Sequence, residues 1–418
     1  MDVVTLGMAK ADALAKKAKP TIILFGDSRT ADCNYADATN EYNTNMSWFD
    51  WGQFNNVNGP VFDVIRNAGI GGNTTTQMLA RMQADVLAYK PSHVTLWAGT
   101  NDDWSTGKAG VDATYARMVT MLNMAFKAGI YVFLISETTC STKGATFQPL
   151  VQYYNERLRG YAAKNPGVEF WDFNAIVMNP TSATGNPKAV MVRDGLHLSA
   201  NGAATLGREV VAKKLARFGT ALAQLPNSVI DTQGYSSNVR NVLSNPLMQG
   251  TTGTKGNGAH TGTVPDGWAS SGTPTVVFST PARADGFGNN LQAAITASTA
   301  ESLFLTFAGQ PARVVAGQKY VIEAAVEVDA GATNLFSLAI MAQVFNGGTT
   351  YQYGSGLATQ SAAAGDSIGA HTAIVRSRVF AAPGGFTYTG MSLAVTARFA
   401  GAGTATIRLG RVAFKLVD

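Results

Sequence analysis

The 418-residue chain contains only four histidines and two cysteines. Two cysteines cannot build a Cys-rich zinc module or a multi-bridge disulfide scaffold. Cys33 and Cys140 either pair or remain free thiols, and so few cysteines leave the compartment open. Charge is scarce as well, at 14% of residues, where about 25% is usual. The net charge of +5 is spread along the chain rather than bunched, so no nucleic-acid surface is expected. No run approaches the roughly 18 apolar residues of a transmembrane helix, so no membrane insertion is expected. The first twenty residues, MDVVTLGMAKADALAKKAKP, lack the continuous apolar block of a secretory signal. They read as a lead-in helix over 1–19, stopped by Pro20. The 44 glycines follow no three-residue period, which excludes collagen. An apolar content of 46% excludes a disordered chain.

At roughly 150 residues per domain the length predicts two or three domains, and the sequence shows two grammars. From residue 20 to about 225, short apolar strands alternate with helical patterns. The strands are 21–27, 61–69, 93–99, 131–137 and 168–173. The helices are 74–90, 112–129, 149–164 and 199–218. This alternation predicts an α/β fold, a parallel sheet with helices on both faces. Ligands of such sheets bind beyond the carboxyl ends of the strands. Residues 231–418 hold only 20 charged side chains, against 39 in the first 230. There, runs such as PTVVFST, KYVIEAAVEV and TATIRLGRVAFKLV are separated by Gly, Asn, Ser and Thr. They predict a C-terminal antiparallel β-sandwich over 243–418, with 226–242 as linker.

Four segments of the first half carry chemistry. Gly26-Asp27-Ser28 closes the first strand and places a hydroxyl at its carboxyl end, although a Ser there also serves as a helix N-cap. NAGIGGNTTT (67–76) closes the second strand, and a Gly72 N–H before a helix suits an anion as well as a tight turn. Gly99-Thr100-Asn101-Asp102 closes the third and offers an amide donor or a plain turn. Asp194-Gly195-Leu196-His197 sets a carboxylate three residues before an imidazole. Asp194 can then hold the Nδ1–H while Nε2 takes a proton from a serine. His93 opens a strand at its amino end, the wrong edge for catalysis, and reads as structural. His260 and His371 lie in the sandwich half.

In type, order and spacing, GDS at 26–28, the glycine of GGNT at 72, the asparagine of GTND at 101 and DGLH at 194–197 resemble the four blocks of the SGNH hydrolases, also known for their GDSL motif. The resemblance covers residues 20–225. It implies a flavodoxin-like αβα sandwich with a five-stranded parallel sheet, and ester hydrolysis without metal or organic cofactor. Matched position by position, it implies Ser28 as nucleophile, His197 as general base and acid, and Asp194 as the group orienting His197. The Ser28 N–H, the Gly72 N–H and the Asn101 side chain would form the oxyanion hole. The chain departs from the pattern at Arg29, where the family places an apolar residue. Arg29 either covers a helix start or binds an anionic substrate group.

The 29–60 loop carries Trp48, Phe49, Trp51 and Phe54 among Asn, Asp and Gln. Trp48 and Trp51 are either a sugar-binding face or a small core under the loop. The 243–418 segment loosely resembles jelly-roll carbohydrate-binding modules, through its opening NP…PDGW and its closing strand. It lacks the acidic residue such modules use for calcium, and a purely structural sandwich fits it equally. An esterase joined to a sugar-binding-like sandwich predicts removal of O-acetyl groups from a polysaccharide. The lead-in without a secretory signal resembles enzymatic domains of phage tail spikes, which implies an extracellular or virion-associated protein and a homo-oligomer, trimeric in a tail component. A lipase or thioesterase acting on longer acyl esters, and a glycan-binding adhesin with an inactive hydrolase fold, are the competing readings.

Overall fold

The computed structural model describes residues 20–219, 225–227, 241–309, 314–355, 367–385 and 387–417. The expected lead-in helix over 1–19 and most of the expected linker lie outside them. The described chain forms two compact units that no single cut separates. One contains residues up to 33, 61–198 and 209–214, and the other contains 34–60, 199–208 and 215 onward.

In chain order, β1 (Thr21–Gly26) leads into the single-turn helix α1 (Ser28–Ala31). Then come β2 (Asn34–Ala36), β3 (Asn40–Asn43) and helix α2 (Trp48–Phe54), all of the second unit. The first unit resumes with β4 (Asp63–Gly69), α3 (Thr75–Asp85), β5 (His93–Trp97), α4 (Lys108–Lys127), β6 (Tyr131–Ile135), α5 (Phe147–Lys164), β7 (Val168–Trp171) and α6 (Asn174–Val177). Its five strands pair in parallel in the order β4-β1-β5-β6-β7. This is the flavodoxin-like order, in which β1 sits between β4 and β5, the next two strands of its own sheet along the chain.

The local reasons are ordinary. The strands are β-branched and aromatic runs buried on both faces, as in β1 and β5. Thr74 and Gln77 close a reciprocal capping box at the start of α3. Gly129 takes a φ of 71° just beyond α4 and ends it. One face of the sheet packs Met78, Met82, Val111, Met118, Leu122, Val151 and Leu158 from the helices. His93 is buried among Phe62, Tyr131 and Phe133, with Nδ1 2.8 Å from the Ser92 hydroxyl. It is a packing residue at the amino edge. Cys33 and Cys140 are both buried free thiols.

The second unit adds helix α7 (Ala200–Leu206) and a long series of strands. The helix expected over 199–218 is broken, for α7 runs into a π-helical turn at Gly207–Val211. A Cβ on Gly207 would stand 2.5 Å from that of Trp51, so α2 and this helix meet at backbone distance. One sheet places the edge strands β2 and β3 beside residues 349–355, followed by strands 335–346, 390–399, 302–308, 264–272 and 252–255. The other orders 371–376, 319–328, 403–416, 291–297, 275–279 and 260–262. Most pairings are antiparallel, and the two sheets make a β-sandwich. Among the described residues no helix is long and apolar enough to cross a membrane.

Gly69 marks where the fold is tightest beside the future site. A Cβ there would stand 2.1 Å from the Ala31 nitrogen and 2.5 Å from the Thr30 carbonyl carbon. Both are backbone atoms and cannot swing away. Gly69→Ala is therefore expected to cost about 1–3 kcal/mol, read as a lower urea midpoint with an unchanged m-value.

Candidate functional site

The carboxyl end of β1 turns at once into α1. Asp27, not Ser28, caps this helix, and its Oδ1 accepts the Arg29 N–H at 3.0 Å. The serine hydroxyl is thereby spared the capping role. It lies 2.8 Å from His197 Nε2, across 169 residues of sequence. His197 Nδ1 lies 2.7 Å from Asp194 Oδ2. The other oxygen of Asp194 accepts the Leu196 N–H at 3.1 Å and the His197 N–H at 2.8 Å. Burial acts to raise the Asp194 carboxyl, but the hydrogen bonds from His197 and Leu196 outweigh it and hold it below its ordinary value. It stays ionised and fixes the imidazole with Nδ1 protonated, which leaves Nε2 to accept a proton.

The glycine turn after β4 rises beside this pair. A Cβ on Gly71 would lie 4.0 Å from that of Ser28, and Gly72 adopts a φ of 75° with open space where a side chain would point. The Asn101 amide donates to the Asn73 carbonyl at 3.1 Å, which joins the two turns. Asp102 braces them from below, accepting the Thr75 N–H at 3.0 Å, the Thr75 hydroxyl at 2.6 Å and Arg117 Nη2 at 2.9 Å. Ser28, Gly72, Asn101, Asp194 and His197 thus all lie at the carboxyl edge of one sheet.

Arg29 does not reach a substrate. Its side chain is fully enclosed. Nη2 donates to Asp27 Oδ2 at 2.7 Å and to Glu137 Oε2 at 3.0 Å, Nη1 donates to Glu137 Oε1 and to Thr138 Oγ1, and the guanidinium lies 4.3 Å above the Trp97 ring. Burial opposes its charge, but Asp27 and Glu137 outweigh burial and raise its pKa. Burial pushes the Glu137 carboxyl up despite Arg29. The anion-binding alternative is corrected on this ground, since a guanidinium with both edges occupied in a closed interior has no face for a ligand. Trp48 and Trp51 are likewise buried, at 0% and 3% exposure, and the Trp51 indole N–H donates to the Asn45 carbonyl at 2.9 Å. They are core residues and offer no sugar platform.

Sequence reading also missed several residues. Arg81 donates from Nη2 to the Gly26 carbonyl, from Nη1 to the Ala68 carbonyl and from Nε to Asn73 Oδ1, at 2.7–2.8 Å. It therefore pins β1, β4 and the glycine turn together. Asp85 holds its other side, and this i,i+4 pair was the only visible signal. Glu137, at the end of β6, gave none.

Arg29→Met would leave Asp27 and Glu137 as adjacent buried carboxyls without a counter-ion. It is expected to cost about 3–5 kcal/mol at neutral pH. A carboxyl whose pKa is raised in the folded state takes up its proton more readily there, so the deficit should shrink as pH falls. Chemical denaturation of the variant across pH 5–8, roughly the working window of most proteins, checks both the size and the sign.

The chain is similar to several known proteins. Residues 24–205 match the profile of the GDSL-like Lipase/Acylhydrolase family. Uncharacterized lipoprotein YqeF of Bacillus subtilis (strain 168) is 35% identical over 81 residues, 19% of this chain and 31% of that protein. The chain therefore spans about a third of that curated relative. Among solved structures, a GDSL-like lipase from Bacteroides thetaiotaomicron is 20% identical, with 51% of this chain and 98% of that chain covered and a TM-score of 0.36. An acetyl-xylooligosaccharide esterase from Geobacillus Stearmophilus is 20% identical, with 50% and 98% covered and a TM-score of 0.37. Residues 24–205 are thus similar to a GDSL-like lipase/acylhydrolase domain.

Proposed function

We propose that this chain is a serine esterase that removes O-acetyl groups from a polysaccharide. The observation that carries the reading is the unbroken relay from Asp194 through His197 to Ser28, with hydrogen bonds of 2.7 and 2.8 Å. Ser28 Oγ attacks the acyl carbonyl as its proton passes to His197 Nε2. The charge on the carbonyl oxygen is met by the Ser28 and Gly72 N–H groups and the Asn101 amide. Each such donor is worth about 2.7–4 kcal/mol in a serine hydrolase. The intermediate collapses as the imidazolium returns its proton to the leaving sugar oxygen. Water, deprotonated by His197, then releases acetate and restores Ser28. Asp194 stays ionised throughout and stabilises the imidazolium.

One feature favours a hydrated substrate over a long acyl chain. The turn beside Ser28 is exposed through Ile70, Gly71 and Gly72, which suits a small acyl group and a bulky polymer outside. A lipase site would want an apolar channel. The intact relay disfavours the adhesin reading. On this proposal the β-sandwich is a carbohydrate-binding or spacing module of jelly-roll type, and the protein works outside the cell or on a virion as a homo-oligomer.

Rates on p-nitrophenyl esters from acetyl to decanoyl are expected to peak at acetyl, and acetate should be released from acetylated polysaccharides. A maximum at long chains would replace this reading with a lipase. Ser28→Ala is expected to lose about 10⁶-fold in kcat. Full activity in that variant would remove Ser28 from its role. Asp194→Asn should cost about 10⁴-fold in kcat, with KM little changed.

A further inference from the structure

The DGLH loop is closed upon itself. Val192 bridges Leu198, the Arg193 N–H donates to the His197 carbonyl at 2.9 Å, and the Asp194 carboxylate takes the N–H groups of Leu196 and His197. A loop so tied moves as one body, and its placement is set by what grips it from outside. One grip is the Ser141 N–H on the Gly195 carbonyl at 3.0 Å, where a Cβ on Gly195 would stand 2.2 Å from the Ser141 hydroxyl. The other is an ion pair, with Arg193 Nη2 2.8 Å from Asp32 Oδ2 and both side chains largely buried at 22% and 17% exposure. Asp32 is the C-cap of α1, and its N–H donates to the Ser28 carbonyl at 2.9 Å. The pair therefore joins the nucleophile's own turn to the loop that carries the base.

We propose that Arg193 and Asp32 are positioning residues that set the angle and distance at which His197 Nε2 meets Ser28 Oγ. The proposal rests on the serine-esterase reading. The Ser–His hydrogen bond alone is a hinge, because it leaves the tied loop, with the imidazole fixed on it, free to tilt about that contact. A second contact, four residues along on each segment, removes that freedom. The arginine is suited to the task, since its rigid fork places Nη2 on Asp32 at 2.8 Å and Nη1 on the Leu198 carbonyl at 3.4 Å, where a lysine offers one point charge. Neither side chain touches the reacting atoms. Loss of the pair should act on the alignment of proton transfer and spare the binding of a small ester.

The test is Arg193→Met, Asp32→Asn, the double variant and Arg193→Lys, assayed on p-nitrophenyl acetate, with thermal melting to exclude unfolding. In a chain that still melts near the wild type, Arg193→Met is expected to lower kcat about 10- to 100-fold, the range for small misplacements of catalytic groups. KM should stay within about twofold, since small-ester binding is untouched. Arg193→Lys should recover part of the loss. The double variant should be no worse than the poorer single one, because both remove one interaction. A second readout is the rate at which a fluorophosphonate labels Ser28, followed by mass spectrometry. It should fall in parallel with kcat, and it needs no knowledge of the natural substrate. Wild-type kcat in a stable Arg193→Met chain, or losses that multiply in the double variant, would overturn the proposal. Labelling of wild-type Ser28 without turnover of any acetyl ester would instead defeat the deacetylase reading and leave the labelling comparison to decide this one. A wild-type Ser28 that resists the reagent overturns both.

Discussion

The site rests on one buried guanidinium. Arg29 follows the nucleophile directly, and its side chain turns inward between Asp27 and Glu137, with the Trp97 ring below it. Three ionisable groups in a closed interior carry a large desolvation cost, and burying them is a poor source of stability in itself. What such a node supplies is direction. Glu137 is held by Asn155 of α5, for its N–H donates to Asn155 Oδ1 at 2.7 Å and its carbonyl accepts from Asn155 Nδ2 at 2.8 Å. Arg29 is thus fixed from a strand two places away in the sheet, and with it the turn that lifts Ser28. The same Asp27 that pairs with Arg29 also takes the Arg29 N–H, so the helix cap and the ion pair are one structure. A hydroxyl in place of either carboxylate could not do both.

From this node the constraint passes outward through backbone contacts that only glycine permits. Gly26 lies where a Cβ would meet Thr30 Oγ1 at 2.2 Å and the Trp97 carbonyl at 2.8 Å, and Gly69 lies against Thr30 and Ala31. The ends of β1 and β4 consequently approach α1 more closely than side chains would allow. Arg81 then collects the carbonyls of Gly26 and Ala68 and the amide oxygen of Asn73. Burial lowers its pKa, against the pull of Asp85. Two arginines, one beneath the nucleophile and one beneath the glycine turn, thus hold the edge on which the donors stand.

The five strands were legible because each is a largely apolar run, and three of the four blocks sit immediately after one, beyond β1, β4 and β5. The order of the strands and the role of the DGLH loop came with the family resemblance and not from local pattern. The rest was not legible for reasons of the same kind. Arg29 reads as exposed because arginine at the mouth of a turn normally is, and its partner Glu137 lies 108 residues away with no periodic signal. Trp48 and Trp51 sit among polar residues that suggest a surface. Yet Asp50 and Gln53 are buried with them, Asp50 with a hydrogen bond from Ser47 and a carboxyl raised by burial. Polar neighbours are evidence of exposure only when they lack buried partners. The 29–60 segment reads as loop because β2 and β3 are three and four residues long and polar, and they become strands by pairing with each other and with residues 352–354. Edge pairing over such a sequence distance leaves no trace in composition.

The scarcity of charge takes on a meaning from where the charges stand. In the second unit Glu323, 1% exposed, holds Arg376 at 3.0 Å and also Lys415, while Arg408 holds Asp329 and Glu327. In the first unit Arg29, Arg81, Arg117 and Arg193 are all engaged with carboxylates at or under the site. A chain with few charges that commits them to internal ion pairs has little left for a long-range field of one sign. Its described outer strand positions carry Thr, Ser, Ala and Val instead, as at Thr275, Val277, Thr296 and Thr404. Steering of an acidic polymer needs a single-sign surface, and burial of a long acyl chain needs an apolar channel. The exposed charges of the first unit are of both signs, as at Lys108 and Lys127 against Asp103 and Glu156, so they build no such single-sign field among the described residues, and the charges that matter most to the Ser28 edge are the paired ones beneath it.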